Sequence, residues 1–94
     1  MATMIVKHRV ASFDSWKVAF DEMEATRREH GWTGHEVYRD AADPSTVVIV
    51  NHMRDLDSAK RYGASPALRT AMARAGVQGL PEIVFLDSAE AKNY

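Results

Sequence analysis

The residue best placed to do chemistry is a histidine in an alternating segment near the N-terminus. Residues 4–10 alternate in polarity, and His8 falls on the same side as Met4, Val6 and Val10. We expect helices to cover that side, because the opposite side carries lysine and arginine, which are costly to bury without partners. A neutral imidazole in an apolar layer can act as a general base or orient a phenolic substrate. The alternative is a core histidine hydrogen-bonded to a backbone carbonyl or a tyrosine.

Three aromatic residues could complete a site around this histidine. Tyr62 directly precedes a glycine that interrupts a predicted helix, a weak point that could gate a cavity. In an enzyme, its hydroxyl group could hydrogen-bond to a substrate oxygen. Alternatively, the ring packs in the core and the hydroxyl group reaches solvent. Trp16 and Phe20 lie four residues apart on the apolar stripe of an earlier helix. We predict that these two residues belong to the core and also wall a substrate pocket.

Hydrophobic spacing and turn residues predict the elements that must position these side chains. After the first strand, a helix capped by Asp14 continues to Gly31. Strands follow at 33–40 and 46–53, then a broken helix that restarts at Pro66 and a last strand at 82–87. The order βαββαβ favours an α+β, ferredoxin-like fold with a four-stranded antiparallel sheet and the helices on one face. We expect the first and third strands to be central and parallel to each other.

Two further histidines raise the question of a metal centre. His52 lies near the end of the third predicted strand and His35 near the start of the second. With the first and third strands parallel, both would meet His8 at one end of the sheet, where three imidazoles could bind a divalent metal ion. The alternative is three separate histidines, and no acidic fourth ligand is indicated. We predict no metal ion and assign His52 to the substrate-binding residues.

The composition is that of an ordinary folded domain and excludes several functions. Of 94 residues, 46% are hydrophobic and 27% charged, the net charge is −1, and there is no cysteine for disulfides or thiol chemistry. The chain lacks the basic block and the strand aromatics that nucleic-acid binding requires, and no apolar run is long enough to cross a membrane. The N-terminus lacks a signal-peptide pattern. We expect one cytoplasmic domain over residues 1–94.

The face of the sheet without helices predicts a partner. It would carry Ile5, Lys7 and Arg9 together with half of the apolar third strand. A surface this apolar is seldom left in water. We therefore predict a homodimer in which two copies pack through the uncovered sheet face around a two-fold axis.

Three short segments resemble the dimeric α+β barrel superfamily. They are Val6-Lys7-His8 on the first strand, the helix start Phe13-Asp14-Ser15-Trp16-Lys17, and Tyr62 followed by Ala64-Ser65-Pro66-Ala67-Leu68-Arg69. The superfamily includes antibiotic-biosynthesis-monooxygenase-like proteins, stress-responsive A/B-barrel proteins and small polyketide cyclases. The resemblance implies protomers packed sheet to sheet. It also implies a pocket between sheet and helices that binds aromatic or polyketide-like compounds, usually without a cofactor.

The resemblance to the small polyketide cyclases implies roles for individual residues. Their strand-one histidine matches His8 and a tyrosine matches Tyr62, which makes these two the predicted catalytic residues. Leu68 stands where the cyclases have a second catalytic histidine, and we assign it to substrate binding with Trp16 and Phe20. We expect a cofactor-independent monooxygenase- or cyclase-like enzyme acting on an aromatic or polyketide-like compound. The alternative is a non-catalytic ligand-binding or structural homodimer of the stress-responsive A/B-barrel type.

Overall fold

A computed structural model describes residues 2–94 as a sheet with helices on one of its faces. Met1, the first residue of the predicted domain, lies outside the described residues. The elements are β1 (Ala2–Val10), α1 (Phe13–Glu22), α2 (Glu24–Glu29), β2 (Trp32–Arg39), β3 (Thr46–Met53), α3 (Leu56–Gly63), α4 (Pro66–Arg74) and β4 (Val77–Leu86). The predicted ferredoxin-like α+β fold is confirmed, with each predicted helical region divided into two helices.

The four strands lie in the order β2-β3-β1-β4, and every neighbouring pair is antiparallel. The prediction that the first and third strands are parallel is therefore wrong. The chain returns through α1 and α2 to start β2 two positions away from β1, and a short connection then reverses it into β3 between them. As a result, His8 lies opposite Val47 at one end of the sheet, whereas His52 lies opposite Thr3 at the other.

The predicted faces of β1 are confirmed. Met4, Val6, His8 and Val10 are buried beneath the helices, on what we call the covered face. Their neighbours on β1 point to the other side of the sheet, the open face, which no helix covers. Because side chains alternate along a strand, Asn51 on β3 joins the covered face through its pairing with Met4.

The first helical region begins earlier and ends differently from the prediction. Ser12, not Asp14, caps α1, since its hydroxyl oxygen accepts a hydrogen bond from the Ser15 amide at 3.3 Å. The helix then breaks after ten residues. The carbonyl oxygen of Phe20, which would accept the next helical bond, accepts instead from the Met23 amide at 3.2 Å and from the Arg27 guanidinium at 2.6 Å. This competition turns the chain and starts α2.

The second helical region follows the predicted caps. The Asp55 carboxylate accepts from the Ser58 amide at 2.7 Å at the start of α3. Ser65 accepts from the Leu68 amide at 3.3 Å at the start of α4, where Pro66 is the first helical residue. These caps place α3 and α4 side by side over the covered face. No helix within residues 2–94 is long and apolar enough to span a bilayer.

The last strand is longer than predicted and is irregular. It begins at Val77 rather than residue 82, and its register with β1 shifts between Lys7 and Arg9. Gly79, with φ 72°, and Pro81 lie in this segment. Glycine in a left-handed conformation and proline, which has no amide hydrogen, are both unusual within a strand, so that alternation of polarity does not predict this part of β4.

Candidate active site

A mostly apolar cavity of about 80 Å³ lies between the covered face and the helices. That volume is well above the roughly 10–15 Å³ that one water molecule needs. Its walls combine core side chains of β1 and β3 with residues from all four helices. The lining residues are Met4, Val6, His8, Trp16, Ala19, Phe20, Met23, Arg27, Trp32, Ile49, Asn51, Tyr62, Leu68, Ala71, Met72 and Ala75.

Aromatic rings form two walls of the cavity. On α1, the rings of Trp16 and Phe20 lie 4.9 Å apart between centroids, and Trp16 meets the His8 imidazole edge-on at 5.8 Å. On the other side, Trp32 and Tyr62 meet edge-on at 4.4 Å. Rings packed in this way are rigid walls, which favours planar apolar ligands.

His8 lines this cavity and has a buried nitrogen without a partner among the described residues. The side chain is 6% exposed, and its Nδ1 atom is buried without a hydrogen-bond partner within residues 2–94. Burial lowers the pKa of His8 below its usual value of 6.5. The imidazole is therefore neutral at neutral pH, and a neutral imidazole can accept a proton or a hydrogen bond from a ligand.

Arg27 lines the same cavity from α2. The residue is 8% exposed, and its guanidinium donates to the Phe20 carbonyl at 2.6 Å and lies 3.7 Å above the centroid of the Phe20 ring. Its second terminal nitrogen is buried and has no partner within the described part of the chain. Arginine stays protonated in proteins, so this side of the cavity is positively charged.

A hydrogen-bonded chain fixes the wall formed by Trp32. The indole nitrogen of Trp32 donates to the Asn51 side-chain oxygen at 2.9 Å, and the Asn51 amide nitrogen donates to the Met4 carbonyl at 3.1 Å. Asn51 thus links the start of β2 to the centre of β1. Because both of its polar ends are used, Asn51 holds the cavity in shape.

Tyr62 reaches the cavity from α3 and is 3% exposed. Burial raises the pKa of its phenol, and the positive charge of Arg27 opposes that increase. The phenol is therefore protonated at neutral pH, and it can donate a hydrogen bond to an oxygen of a bound molecule.

Five of the six predicted site residues line this one cavity: His8, Tyr62, Trp16, Phe20 and Leu68. The sixth, His52, points to the open face, where its Nε2 atom contacts the Glu36 carboxylate. The structure therefore does not bring His52 to the cavity.

The three histidines considered for a metal site are also apart. His35 lies on the covered face with its ring 4.9 Å from that of Phe20, and His52 lies on the other face. His8 lies at the opposite end of the sheet from both. Within residues 2–94 no group of three or more histidine, aspartate or glutamate side chains is arranged to hold a metal ion.

Sequence reasoning missed three polar lining residues, Arg27, Trp32 and Asn51. Asn51 interrupts an otherwise apolar strand segment, which is a signal for a buried polar contact. Arg27 follows Phe20 by seven residues, so it continues the apolar stripe of the first helical region. The sequence does not show whether Trp32 lines a cavity or simply packs at the end of the preceding helix.

Comparison with known proteins identifies the family and agrees with the fold. The family model for antibiotic biosynthesis monooxygenases matches residues 7–74. A Bordetella bronchiseptica protein named for that family has a TM-score of 0.77 at 12% identity, over 95% of this chain and 97% of that chain. SnoaB, a cofactor-independent oxygenase from Streptomyces nogalater, has a TM-score of 0.75 at 15% identity, over 96% of this chain and 94% of that chain.

A third structure, from Deinococcus radiodurans and also named for that family, has a TM-score of 0.69 at 21% identity, over 100% of this chain and 98% of that chain. At these identities the likeness concerns the fold. A search of curated proteins finds no significant match. The family model, however, covers the chain from the middle of β1 to the end of α4. This chain therefore belongs to the antibiotic biosynthesis monooxygenase family.

Proposed function

We propose that this protein is a cofactor-independent oxygenase acting on a small aromatic or polyketide-like compound bound in the cavity. The observation that carries the proposal is the buried, unpartnered Nδ1 atom of a neutral His8 inside apolar walls. A base that the protein leaves without a partner is available to a ligand. Membership of the family and the fold shared with SnoaB, itself a cofactor-independent oxygenase, support this class of reaction.

The proposed reaction starts with a proton transfer. His8 removes a proton from an acidic C–H or O–H group of the substrate, and the substrate anion that remains is electron-rich enough to reduce O₂ directly. One-electron transfer followed by C–O bond formation gives a peroxide anion, which takes back the proton held by His8 and becomes a hydroperoxide. His8 then removes the remaining C–H proton of that carbon while the O–O bond breaks, which leaves a carbonyl group, and it gives this proton to the departing hydroxide to form water. In sum, a CH₂ group and O₂ become a C=O group and H₂O, with the substrate as the only electron donor.

The remaining predicted residues orient the substrate. Tyr62 donates a hydrogen bond to a substrate oxygen, which favours the anion formed by proton loss. Trp16, Phe20 and Leu68 wall the ring system and exclude water. Exclusion of water strengthens every electrostatic interaction in the cavity. His52 has no part in this arrangement, because it faces away from the cavity.

The working form of the enzyme in this proposal is a homodimer joined through the open faces. The centre of the open face carries Ile5, Val50 and Val84 in one row across three strands. Val84 is 49% exposed and Leu86 is 40% exposed. A contiguous apolar face of this kind marks an interaction surface.

Oxygen consumption by His8→Leu tests the catalytic role of the base. Wild type and variant are assayed aerobically with a set of phenols, quinols and aromatic ketones that have an acidic CH₂ group. A substrate turned over by wild type should be consumed about 10²–10⁴ times more slowly by the variant, which is the usual contribution of a general base. Arg28→Gln, at an exposed arginine of α2 that lines neither the cavity nor the open face, is the control and should keep full activity.

Two results would contradict the proposal. If His8→Leu consumed oxygen as fast as wild type, His8 would not be the base. If compounds raised the melting temperature of wild type but none was oxidised, the protein would be a ligand-binding homodimer rather than an enzyme.

A further inference from the structure

The guanidinium of Arg27 is a buried charge without a counter-charge. Arg27 as a residue is 8% exposed, and its guanidinium forms no ion pair within residues 2–94. Its contacts are a neutral carbonyl and the face of an aromatic ring. A buried cation with such weak compensation is costly for a folded protein. The cost is explained if the missing counter-charge comes from a ligand.

The nearest carboxylates are already engaged elsewhere. Glu24 pairs with Arg28 at 3.4 Å, and Asp21 pairs with Lys17 at 2.6 Å. Both pairs lie on the exposed side of the helices, with the carboxylate side chains 57% and 55% exposed. They act on Arg27 only at a distance. Neither carboxylate therefore serves as a paired counter-charge for Arg27, which lines the cavity.

The guanidinium is also held in a fixed orientation. One terminal nitrogen is anchored to the carbonyl of Phe20 at the break between α1 and α2, and the plane lies over the Phe20 ring. The other terminal nitrogen has no partner. A donor that is oriented before the ligand arrives loses little entropy on binding. This is the arrangement expected of a recognition residue rather than of a surface charge.

We propose that the cavity selects anionic aromatic ligands, and that Arg27 binds their negatively charged oxygen. The oxygen belongs to a carboxylate carried by the ligand or to a phenolate or enolate formed when a proton leaves. The inference rests on the proposed function only in taking the cavity as the substrate site, and it requires no turnover. It names the substrate class as acidic aromatic compounds and adds Arg27 to the specificity-determining residues.

The position of Arg27 fits both sources of the anion. Arg27 and Tyr62 line one cavity with the neutral base His8. A carboxylate would pair with the guanidinium on entry, whereas a phenol would acquire its charge after giving a proton to the imidazole. In both cases the bound negative charge meets the only cationic side chain among the lining residues. That pairing takes place away from water, where it is strongest.

Both tryptophans of the chain line the cavity, so intrinsic fluorescence reports ligand binding. Two matched ligand pairs separate charge from shape: 1-naphthoate against its methyl ester, and 4-nitrophenol against 4-nitroanisole. Wild type should bind the anion of a pair at least about tenfold more tightly than the neutral member, as expected for a charge-assisted hydrogen bond. A preference limited to naphthoate identifies a carboxylate site. A preference for nitrophenol that follows ionisation of the phenol identifies a phenolate site.

Three variants connect the preference to Arg27. Arg27→Met should remove the preference while keeping affinity for the neutral ligands, and Arg27→Lys should retain part of it. Arg28→Met is the matched control, because the neighbouring arginine is 74% exposed and should leave the preference unchanged. Melting curves establish that each variant is folded. If Arg27→Met does not fold, Arg27→Lys is compared with wild type, and an unchanged preference for the anion in Arg27→Lys contradicts the role of Arg27.

The inference is overturned if wild type prefers the anion in neither ligand pair, or if Arg27→Met keeps the preference. Anion selectivity without oxygen consumption would contradict the oxygenase proposal and leave this inference standing. Turnover of neutral compounds without anion selectivity would contradict this inference and leave the oxygenase proposal standing.

Discussion

The two faces of the sheet treat polar groups in opposite ways. On the covered face, His8 and Arg27 each bury a polar atom that has no partner within residues 2–94. On the open face, His52 pairs with Glu36, and Lys7 lies opposite a glutamate of β4. The open face leaves apolar side chains uncovered, whereas the covered face buries its apolar side chains together with two polar atoms that have no partner within residues 2–94. The first therefore fits a second copy of the chain, and the second fits a ligand that carries polar atoms.

A charge placed on the open face should have the largest effect. Val84→Arg adds an arginine that a single protomer tolerates, because Val84 is 49% exposed. In a two-fold dimer both copies would bury it without a partner, and self-association should weaken by about a thousandfold, or ~4 kcal/mol. Sedimentation equilibrium would then give the mass of one chain for the variant and of two chains for wild type.

The matched control is Val18→Arg. Val18 is 61% exposed on α1, away from the open face, so this variant should remain a dimer. A monomeric wild type, or a dimeric Val84→Arg variant, would contradict the proposal that the open face binds a second copy of the chain.

Removal of a satisfied polar group from the covered face should cost more than removal of an unsatisfied one. Asn51→Leu leaves the Trp32 indole N–H and the Met4 carbonyl without partners, and the free energy of unfolding should fall by about 2–4 kcal/mol. His8→Leu removes a buried atom that has no partner and should change stability by less than about 1 kcal/mol, or increase it. Urea denaturation at neutral pH measures both. Equal losses in the two variants would mean that Nδ1 of His8 is satisfied after all.

A smaller effect should appear in the pH dependence of stability. Burial lowers the pKa of His8 in the folded protein below 6.5. Below pH 6.5 the unfolded chain therefore binds a proton that the folded chain does not, and stability falls as the pH drops from 6.5 toward the lowered value. The slope for one group is at most about 1.4 kcal/mol per pH unit.

His8→Leu should reduce this slope without abolishing it, because burial also lowers the pKa of His35. Urea midpoints measured between about pH 7 and about pH 5, where histidine titrates, provide the test. An identical slope in wild type and variant would mean that folding does not lower the pKa of His8.

The covered face was largely predictable from the sequence, since it depends on strict alternation. The period of two in β1 correctly assigned Met4, Val6, His8 and Val10 to one side. The four-residue spacing of Trp16 and Phe20 predicted that both lie on the apolar stripe of one helix, and both are buried on α1. Local periodicity carries this information because each element must bury one face.

The relation between elements was harder to predict. The direction of β3 relative to β1 depends on how the chain crosses over, and the wrong choice brought His8 and His52 to one end of the sheet. The faces of His35 and His52 depend on a register shift between β2 and β3 near Gly34, which no residue pattern reveals. Arg27 was missed because a cation at a helix end also satisfies the helix dipole, an explanation that needs no cavity.

The irregular start of β4 has a consequence for how copies of this chain can meet. β4 is an edge strand, and such edges invite the endless strand-by-strand addition seen in amyloid. Gly79 and Pro81 twist this edge and remove a backbone donor from it. Strand addition along the start of β4 is thereby disfavoured. In the proposed homodimer, by contrast, the open faces pack against each other and no strand edge is extended, so that association ends with two copies.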